Sequence, residues 1–545
     1  MTWINTDLRL SQPMFIYVYV PALISQPAMT VSLPNLGHDA AFVLLSYLLP
    51  CDVSRLQAVA SASGRARGNG LEQLLEFSFS NRLWSLHLAR DFHMKCTTTD
   101  ASSHSFPLPP PVKGCETSKQ LERNQYRPRD TYAAWHAAAR ELRLDMAKDQ
   151  HRIPWPMLSI WLRLRRWAAE HAPQIAATLR GPLVVCESGS AAGGAFFEEF
   201  SGKQTENVSA MVRAFWAVCD GQSTFDPLVT DDRFDDPTHP QGYLGLFGGY
   251  AAYNHSVSMH FLPLHSVRML TQNIWDDFPC IKARFPSCRV FAHSPGFAKF
   301  LLLDVCDGNV YSLQRARRRD SAALQPCVLG EPTSDGSPYE GEVASCPLLR
   351  WLTEFVERLE AGVYCVKALR PEIGLPSLGI NLFPQCGPSY SRAVTRGVEV
   401  CASAIYMAEC PRQGWTYSIR FRLQGTAEER GFQTCQLQSR RWIIAEEGAE
   451  PEHVEGDGVI GLFPLLNDAG WVVNQSSDPH GQYRHVGQQP APFVYQSCSG
   501  RFRQGRRGTF GGEVLFVPGT IRKPTGAPFA VRVEPFPLEI GQFLY

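Results

Sequence analysis

The first strong pattern of apolar positions falls at 39–49, where Leu44, Leu45 and Leu48 make the i, i+4 stripe of a short amphipathic helix. Pro50 stops it, and Asp52 stands where an N-cap belongs, ahead of Val53, Leu56 and Val59. Two short helices joined by Pro-x-Asp predict a bundle too small to bury its own apolar face. A mixed region follows. Trp155, Leu158, Trp161, Leu164 and Trp167 punctuate an Arg-rich helical stretch. Strands are expected at 243–247, 258–262 and 300–305, with tight turns at Gly248-Gly249-Tyr250 and Asp307-Gly308-Asn309. Leu348, Leu349, Leu352, Phe355, Val356 and Leu359 then lie on one helical face, with Gly362 as its C′ residue. From Gly414 the period changes to two. Tyr417, Ile419, Phe421 and Leu423 alternate with polar residues, as do Phe529, Val531 and Val533. Many short strands with glycine turns predict an all-β sandwich.

Weak stretches separate these blocks. Residues 93–129, with a Thr run and Pro107 to Pro111, and 314–346, with Arg317-Arg318-Arg319 and then Gly, Ser and Pro, have linker composition. Residues 467–491, rich in Gly, Ser, Gln and Pro, are expected to be a long loop inside the last block. The apolar run 14–24 is interrupted by Pro21 and is shorter than the ~20 residues of a membrane span, so 1–31 is expected to be a disordered or strand-like leader.

The chain has 545 residues, which predicts several domains, since single cores rarely grow past ~250–300 residues. Lys+Arg and Asp+Glu are both 52, so no global field favours nucleic acid or an anionic membrane. The 16 cysteines contain no C-x-x-C pair, and buried thiols in the cytoplasm or nucleus are expected.

Chemistry-bearing motifs are few. Gly456-Asp457-Gly458-Val459-Ile460-Gly461 matches G-x-G-x-x-G, but Leu462-Phe463-Pro464 follows and Pro464 opposes the helix that a dinucleotide site needs. A strand corner is the reading preferred. Arg315, Arg317, Arg318 and Arg319 read as a solvated linker, and His255 as a structural histidine. No P-loop, H-E-x-x-H or G-x-S-x-G occurs. No catalytic residue, metal ligand or cofactor is therefore assigned.

Three resemblances add to this reading. Leu33-Pro34, Leu44, Leu48, Pro50, Asp52-Val53, Leu56, Val59 and Leu83-Trp84 resemble the F-box, with 64–80 longer than usual. Cys435-Gln436-Leu437, Ser439-Arg440, Trp442 and Ile444 are similar to the ApaG module, a fibronectin-like sandwich. Val454-Glu455-Gly456, Gly458-Val459, Gly461, Pro464, Phe493, Tyr495, Ser497, Gly508, Gly512 and Phe516 continue that string. Asp220-Gly221-Gln222, the run from Leu244 to Tyr250, Ala252-Tyr253-Asn254-His255 and Leu262-Pro263-Leu264 resemble the SUKH-type domain. The order resembles the F-box proteins with SUKH-like and C-terminal ApaG domains, including the plant-type Skp-interacting relatives.

That resemblance implies a multidomain α+β chain: leader 1–31, helical F-box 32–92, linker 93–129, SUKH-like α/β domain 130–313, linker 314–346, helical or extended connector 347–413, and all-β ApaG sandwich 414–541. It implies a non-catalytic substrate-recognition subunit of an SCF ubiquitin ligase. The F-box would bind a Skp-type adaptor, and through it cullin, with Leu33, Pro34, Leu44, Leu48, Val53 and Leu56 at the contact. A protein target, with no residue assigned to it, would be held by the C-terminal modules. Neither nucleic acid nor membrane is expected as a partner. The rival expectation is a small-ligand or nucleotide-binding protein built on the ApaG block.

Overall fold

The computed structural model describes residues 81–92, 128–141, 154–181, 208–223, 244–252, 255–294, 298–314, 322–330, 345–368, 378–474, 483–487, 492–499 and 507–545, together with 15–17, 30–32, 94, 109 and 502. The chain divides into two compact units, 1–159 and 160–545. Among the described residues, no helix is long and apolar enough to cross a membrane.

In the first unit, β1 (Phe15–Tyr17) pairs antiparallel with β2 (Thr30–Ser32), inside the stretch expected as a leader. Helix α1 (Asn81–Phe92) buries Leu83, Trp84, Leu88 and Phe92. Its partner is α2 (Pro128–Glu141), where Tyr132 lies 5.3 Å from Trp84 and 5.5 Å from Phe92 between ring centres. The Tyr132 hydroxyl donates to Asp91 at 2.8 Å. So Leu83-Trp84 serve a buried helix pair, and α2, expected to open the middle domain at 130, belongs with the first unit instead.

Helix α3 (Trp155–His171) runs on from Ile160 as part of the second unit and is followed by α4 (Pro173–Thr178) and α5 (Ala210–Val218). Trp161 packs its edge on Phe215 at 6.4 Å, which explains the tryptophan spacing. Next come β3 (Phe247–Ala252), β4 (His255–Phe261), α6 (Leu264–Asp277), α7 (Pro279–Arg284), β5 (Cys288–His293), β6 (Phe300–Asp304), β7 (Val310–Gln314) and β8 (Ala323–Pro326). The six strands pair antiparallel in sequence order, which makes this domain helices against an antiparallel meander. Its last strand lies beyond the expected end at 313. Helix α8 (Pro347–Glu360), expected in a connector, is a core element here: Trp351 and Phe355 stand 4.7 and 4.4 Å from Phe247. Gly362, at φ 71°, ends it as the left-handed C′ residue.

Strands β9 (Cys365–Ala368) and β10 (Leu378–Asn381) form a two-stranded ribbon. The sandwich then begins with β11 (Tyr390–Thr395), β12 (Val398–Tyr406) and β13 (Trp415–Leu423), so two strands precede the expected start at 414. The rest is the short helix α9 (Ala427–Arg430), β14 (Cys435–Glu446), β15 (Glu452–Asp457), β16 (Leu465–Asn467), β17 (Gly470–Asn474), β18 (Tyr483–Gly487), β19 (Phe493–Ser499), β20 (Arg507–Pro518) and β21 (Phe529–Glu539). One sheet runs β11-β12-β13-β19, the other β18-β17-β16-β14-β20-β21 with β15 also on β14. Alternate residues of both meet in one core, Val400, Ile419 and Phe421 against Leu437, Phe516 and Val531. The expected loop 467–491 is in part sheet, because Trp471 and Val473 of β17 are buried in that core. The fold is thus helices with antiparallel sheets, ending in an all-β domain.

Candidate functional site

The six residues expected at the adaptor contact, Leu33, Pro34, Leu44, Leu48, Val53 and Leu56, lie outside the described residues, as do Arg315, Arg317, Arg318 and Arg319. His255 stands in β4. Asp220-Gly221-Gln222 is a structural knot. Asp220 accepts from the Leu264 amide at 3.0 Å. The Gln222 amide donates to Thr178 at 2.8 Å and to the Leu244 carbonyl at 2.9 Å. Among the described residues, no group of three or more His, Cys, Asp and Glu stands together as a metal site.

The glycine run 456–461 completes β15 and closes a turn bridged between Val459 and Leu462, with Gly458 and Gly461 at φ 56° and 76°. The next element is the strand β16, so no helix N-terminus faces the run. Arg440 donates to the carbonyls of Asp457 and Gly458 at 3.0 and 2.7 Å and fixes the turn. Beside it Arg441 bridges Glu455 at 2.7 Å and Glu513 at 3.2 Å. The resulting depression on the sheet is lined by paired charges.

The joint between the middle sheet and the sandwich has the most developed polar chemistry. The expected turn at Gly248-Gly249-Tyr250 is a bulge within β3, with both glycines at positive φ. A Cβ on Gly249 would stand 1.8 Å from the Ile380 carbonyl oxygen, so β10 crosses here only because the residue is glycine. The bulge aims Tyr250 at Glu409, which follows β12, and the phenol donates to it at 2.7 Å. Lys299 lies 3.2 Å from the same carboxylate and donates to the Tyr250 oxygen at 3.2 Å and to the Tyr545 main-chain oxygen at 2.5 Å. The Lys299 and Glu409 side chains are each 1% exposed. Burial, reinforced by the Glu409 charge, pushes the Tyr250 phenol well above its ordinary pKa. No solvent reaches this cluster, so it acts as a clamp. Around it, the Trp351 indole donates to the Leu544 carbonyl at 2.8 Å, and residues 542–544 pair with 327–329. Sequence reasoning missed Lys299 and Glu409, which belong to no local motif.

A cleft of 340 Å³ opens beside the clamp, with Glu354, Arg358 and Tyr364 on one wall and Pro388, Tyr406 and Glu539 on the other. Arg358 donates to Tyr364 at 2.6 Å and to Glu354 at 2.7 Å, and lies over the Tyr545 ring. An aromatic floor with an Arg–Glu lip suits a peptide side chain.

With that geometry established, comparison with known proteins places the chain. The profile of the ApaG domain family matches residues 408–472. The chain is 27% identical over 529 residues to F-box protein SKIP16 of Arabidopsis thaliana, across 94% of this chain and 100% of that protein. It is 36% identical over 101 residues to protein ApaG of Anaeromyxobacter sp. (strain K), 17% of this chain and 76% of that one. It is 22% identical over 233 residues to human F-box only protein 3, 41% of this chain and 42% of that protein. The chain is an F-box protein with an ApaG domain on its C-terminal side, and through that domain it belongs to the ApaG family.

Proposed function

We propose that this protein is the substrate-recognition subunit of an SCF (cullin-RING) E3 ubiquitin ligase. The F-box docks on a Skp-type adaptor through Leu33, Pro34, Leu44, Leu48, Val53 and Leu56. The middle and C-terminal domains hold a target protein near the ubiquitin-charged enzyme, which supplies the chemistry, so this chain works by proximity in the cytoplasm or nucleus and needs no cofactor. What supports the reading is the alignment with F-box protein SKIP16, which runs through 94% of this chain and 100% of that protein. The meander domain is read as SUKH-like on the strings around Asp220 and Gly248. The rival nucleotide-binding reading loses its ground at Gly456, where the run is a strand end and turn.

Co-purification tests the proposal. Leu48→Asp or Leu56→Asp should abolish capture of adaptor and cullin, while the thermal melting of residues 160–545 stays unchanged. A buried unpaired charge costs several kcal/mol, against about 8–12 kcal/mol for a whole protein complex. If both variants capture adaptor and cullin at wild-type levels, the ligase reading falls.

A further inference from the structure

Strand β12 outruns one of its neighbours. It pairs with β13 along its whole length, from Val398 opposite Leu423 to Tyr406 opposite Trp415. With β11 it pairs only from Val398 opposite Thr395 to Ser403 opposite Tyr390. Before Tyr390 the chain turns away: Gly387 is left-handed at φ 84°, and its carbonyl accepts from the Tyr390 amide at 3.3 Å. Ala404, Ile405 and Tyr406 therefore keep a strand edge that, among the described residues, no strand covers. All three line the 340 Å³ cleft at Arg358. An open edge of three residues, about 10 Å long, presents main-chain N–H and C=O groups to an extended peptide.

The rest of the cleft selects the side chain that such a peptide carries. The charged residues of its lining are Glu354, Arg358 and Glu539. Arg358 is tied to the protein: Nε donates to Glu354 at 2.7 Å, Nη1 donates to the Tyr364 hydroxyl at 2.6 Å, and the guanidinium lies over the Tyr364 and Tyr545 rings at 5.6 and 5.7 Å. Glu539 is exposed at the end of β21, next to Leu538 of the sandwich core. Its register partner on β20 is Arg507, yet among the described residues its carboxylate has no ion pair or hydrogen bond. Arg358 and Glu354 cancel, so Glu539 leaves the cleft with negative charge in excess. Tyr406 and Phe543 add aromatic surface to the lining. A long basic side chain fits these terms, with its stem on the rings and its head at a carboxylate. An acidic one meets like charge at Glu354 and Glu539. The exposed pairing with Glu539 contributes little to affinity beside the strand bonds, and its main effect is on selection.

We propose that this cleft binds an extended segment of another protein, which adds as a short strand to β12 at 404–406 and lays one arginine or lysine side chain across the tyrosines toward Glu539. The proposal rests on the receptor reading, for which it names what the second unit recognises. Its test needs neither adaptor nor cullin, so the two fail separately.

Fluorescence anisotropy of the full chain is the test, with capped, dye-labelled Val-Thr-X-Thr-Val peptides in which X is Arg, Lys, Met or Glu. Saturable binding of the Arg or Lys peptide is expected, about tenfold or more tighter than that of the Glu peptide. Glu539→Arg should weaken it about tenfold with unchanged circular dichroism, and proline in place of both threonines of the peptide should abolish it, because strand addition needs the amides. Should Glu539→Arg fail to fold, the peptide series on the unaltered chain decides. Four results overturn the proposal: no binding of any peptide; equal binding of the Met and Arg peptides; displacement of the peptide by agmatine at equal concentration, which assigns a free cation; and a dimer of the chain that Glu539→Arg dissolves, which assigns a second copy. Capture of adaptor and cullin by the unaltered chain and Glu539→Arg alike leaves the receptor reading standing whichever way the peptides fall.

Discussion

Lys299→Met removes the ammonium that lies 3.2 Å from the Glu409 carboxylate and leaves that carboxylate, 1% exposed, buried beside the Tyr250 hydroxyl. Removing one partner of a buried ion pair costs about 3–5 kcal/mol, because the remaining charge stays desolvated. Glu409→Leu should cost about the same, since the Lys299 ammonium then keeps only the Tyr250 and Tyr545 oxygens. The double variant differs in kind. Replacing both charges with apolar side chains is often neutral or better, so Lys299→Met with Glu409→Leu should lie within about 1 kcal/mol of wild type. The cycle therefore predicts a coupling near the sum of the two single losses. Calorimetric melting of the full chain reads it. At about 2 °C per kcal/mol, each single variant falls by about 6–10 °C and the double by less than about 2 °C. Single variants that melt within about 2 °C of wild type, or a double variant that loses the sum, would refute the clamp.

Two more expectations rest on the same domain. Gly249→Ala places a methyl group 1.8 Å from the Ile380 carbonyl oxygen at φ 57°, so β10 must move; a loss of about 2–4 kcal/mol or more is expected by urea denaturation, and a neutral outcome would contradict the crossing described. Burial, with His260 adding to it, pulls His293 down from 6.5 to about 3. Its contribution is fully present above 6.5 and is lost as pH falls toward the folded value, since the unfolded chain takes the proton first. Stability should drop by roughly 1.4 kcal/mol per pH unit below 6.5, and His293→Gln should flatten that slope across pH 6.5–4.5; an unchanged slope would count against it.

Some of this was legible in the sequence because its signals are local. Tyr417, Ile419 and Phe421 alternate with polar residues and do face the sandwich core. The domain limits were harder. Val398, Val400 and Ala402 alternate too, but with Glu399, Cys401 and Ser403, which stand opposite Arg422, Arg420 and Ser418, and the small residues among them give the run a weak strand signal. In 467–491 the Gly, Ser and Gln composition masked Trp471 and Val473. Gly248-Gly249 reads as a turn because glycine pairs usually mark one; here positive φ serves a bulge and a strand crossing. Lys299 and Glu409 had no signal at all. Their pairing is made by tertiary structure between distant segments, which no local pattern encodes.

The clamp also bears on how a target would be held. After β21 the chain runs back onto the middle domain: the Leu544 amide donates to Cys327, the Leu329 amide to Gln542, and the Tyr545 hydroxyl to the Trp351 carbonyl. Its ring lies 5.2 Å from Phe355 and 5.1 Å from Trp351, so an aromatic that follows the last sandwich strand packs into the core of the middle domain. The two domains are then joined by this aromatic contact as well as by one buried ion pair. A flexible tether would let a captured target sample many orientations, and catalysis by proximity loses effective concentration as that freedom grows. Under the proposed receptor role, a middle sheet and sandwich joined by Tyr545, Lys299 and Glu409 would present the cleft at Arg358 to a target in one fixed frame.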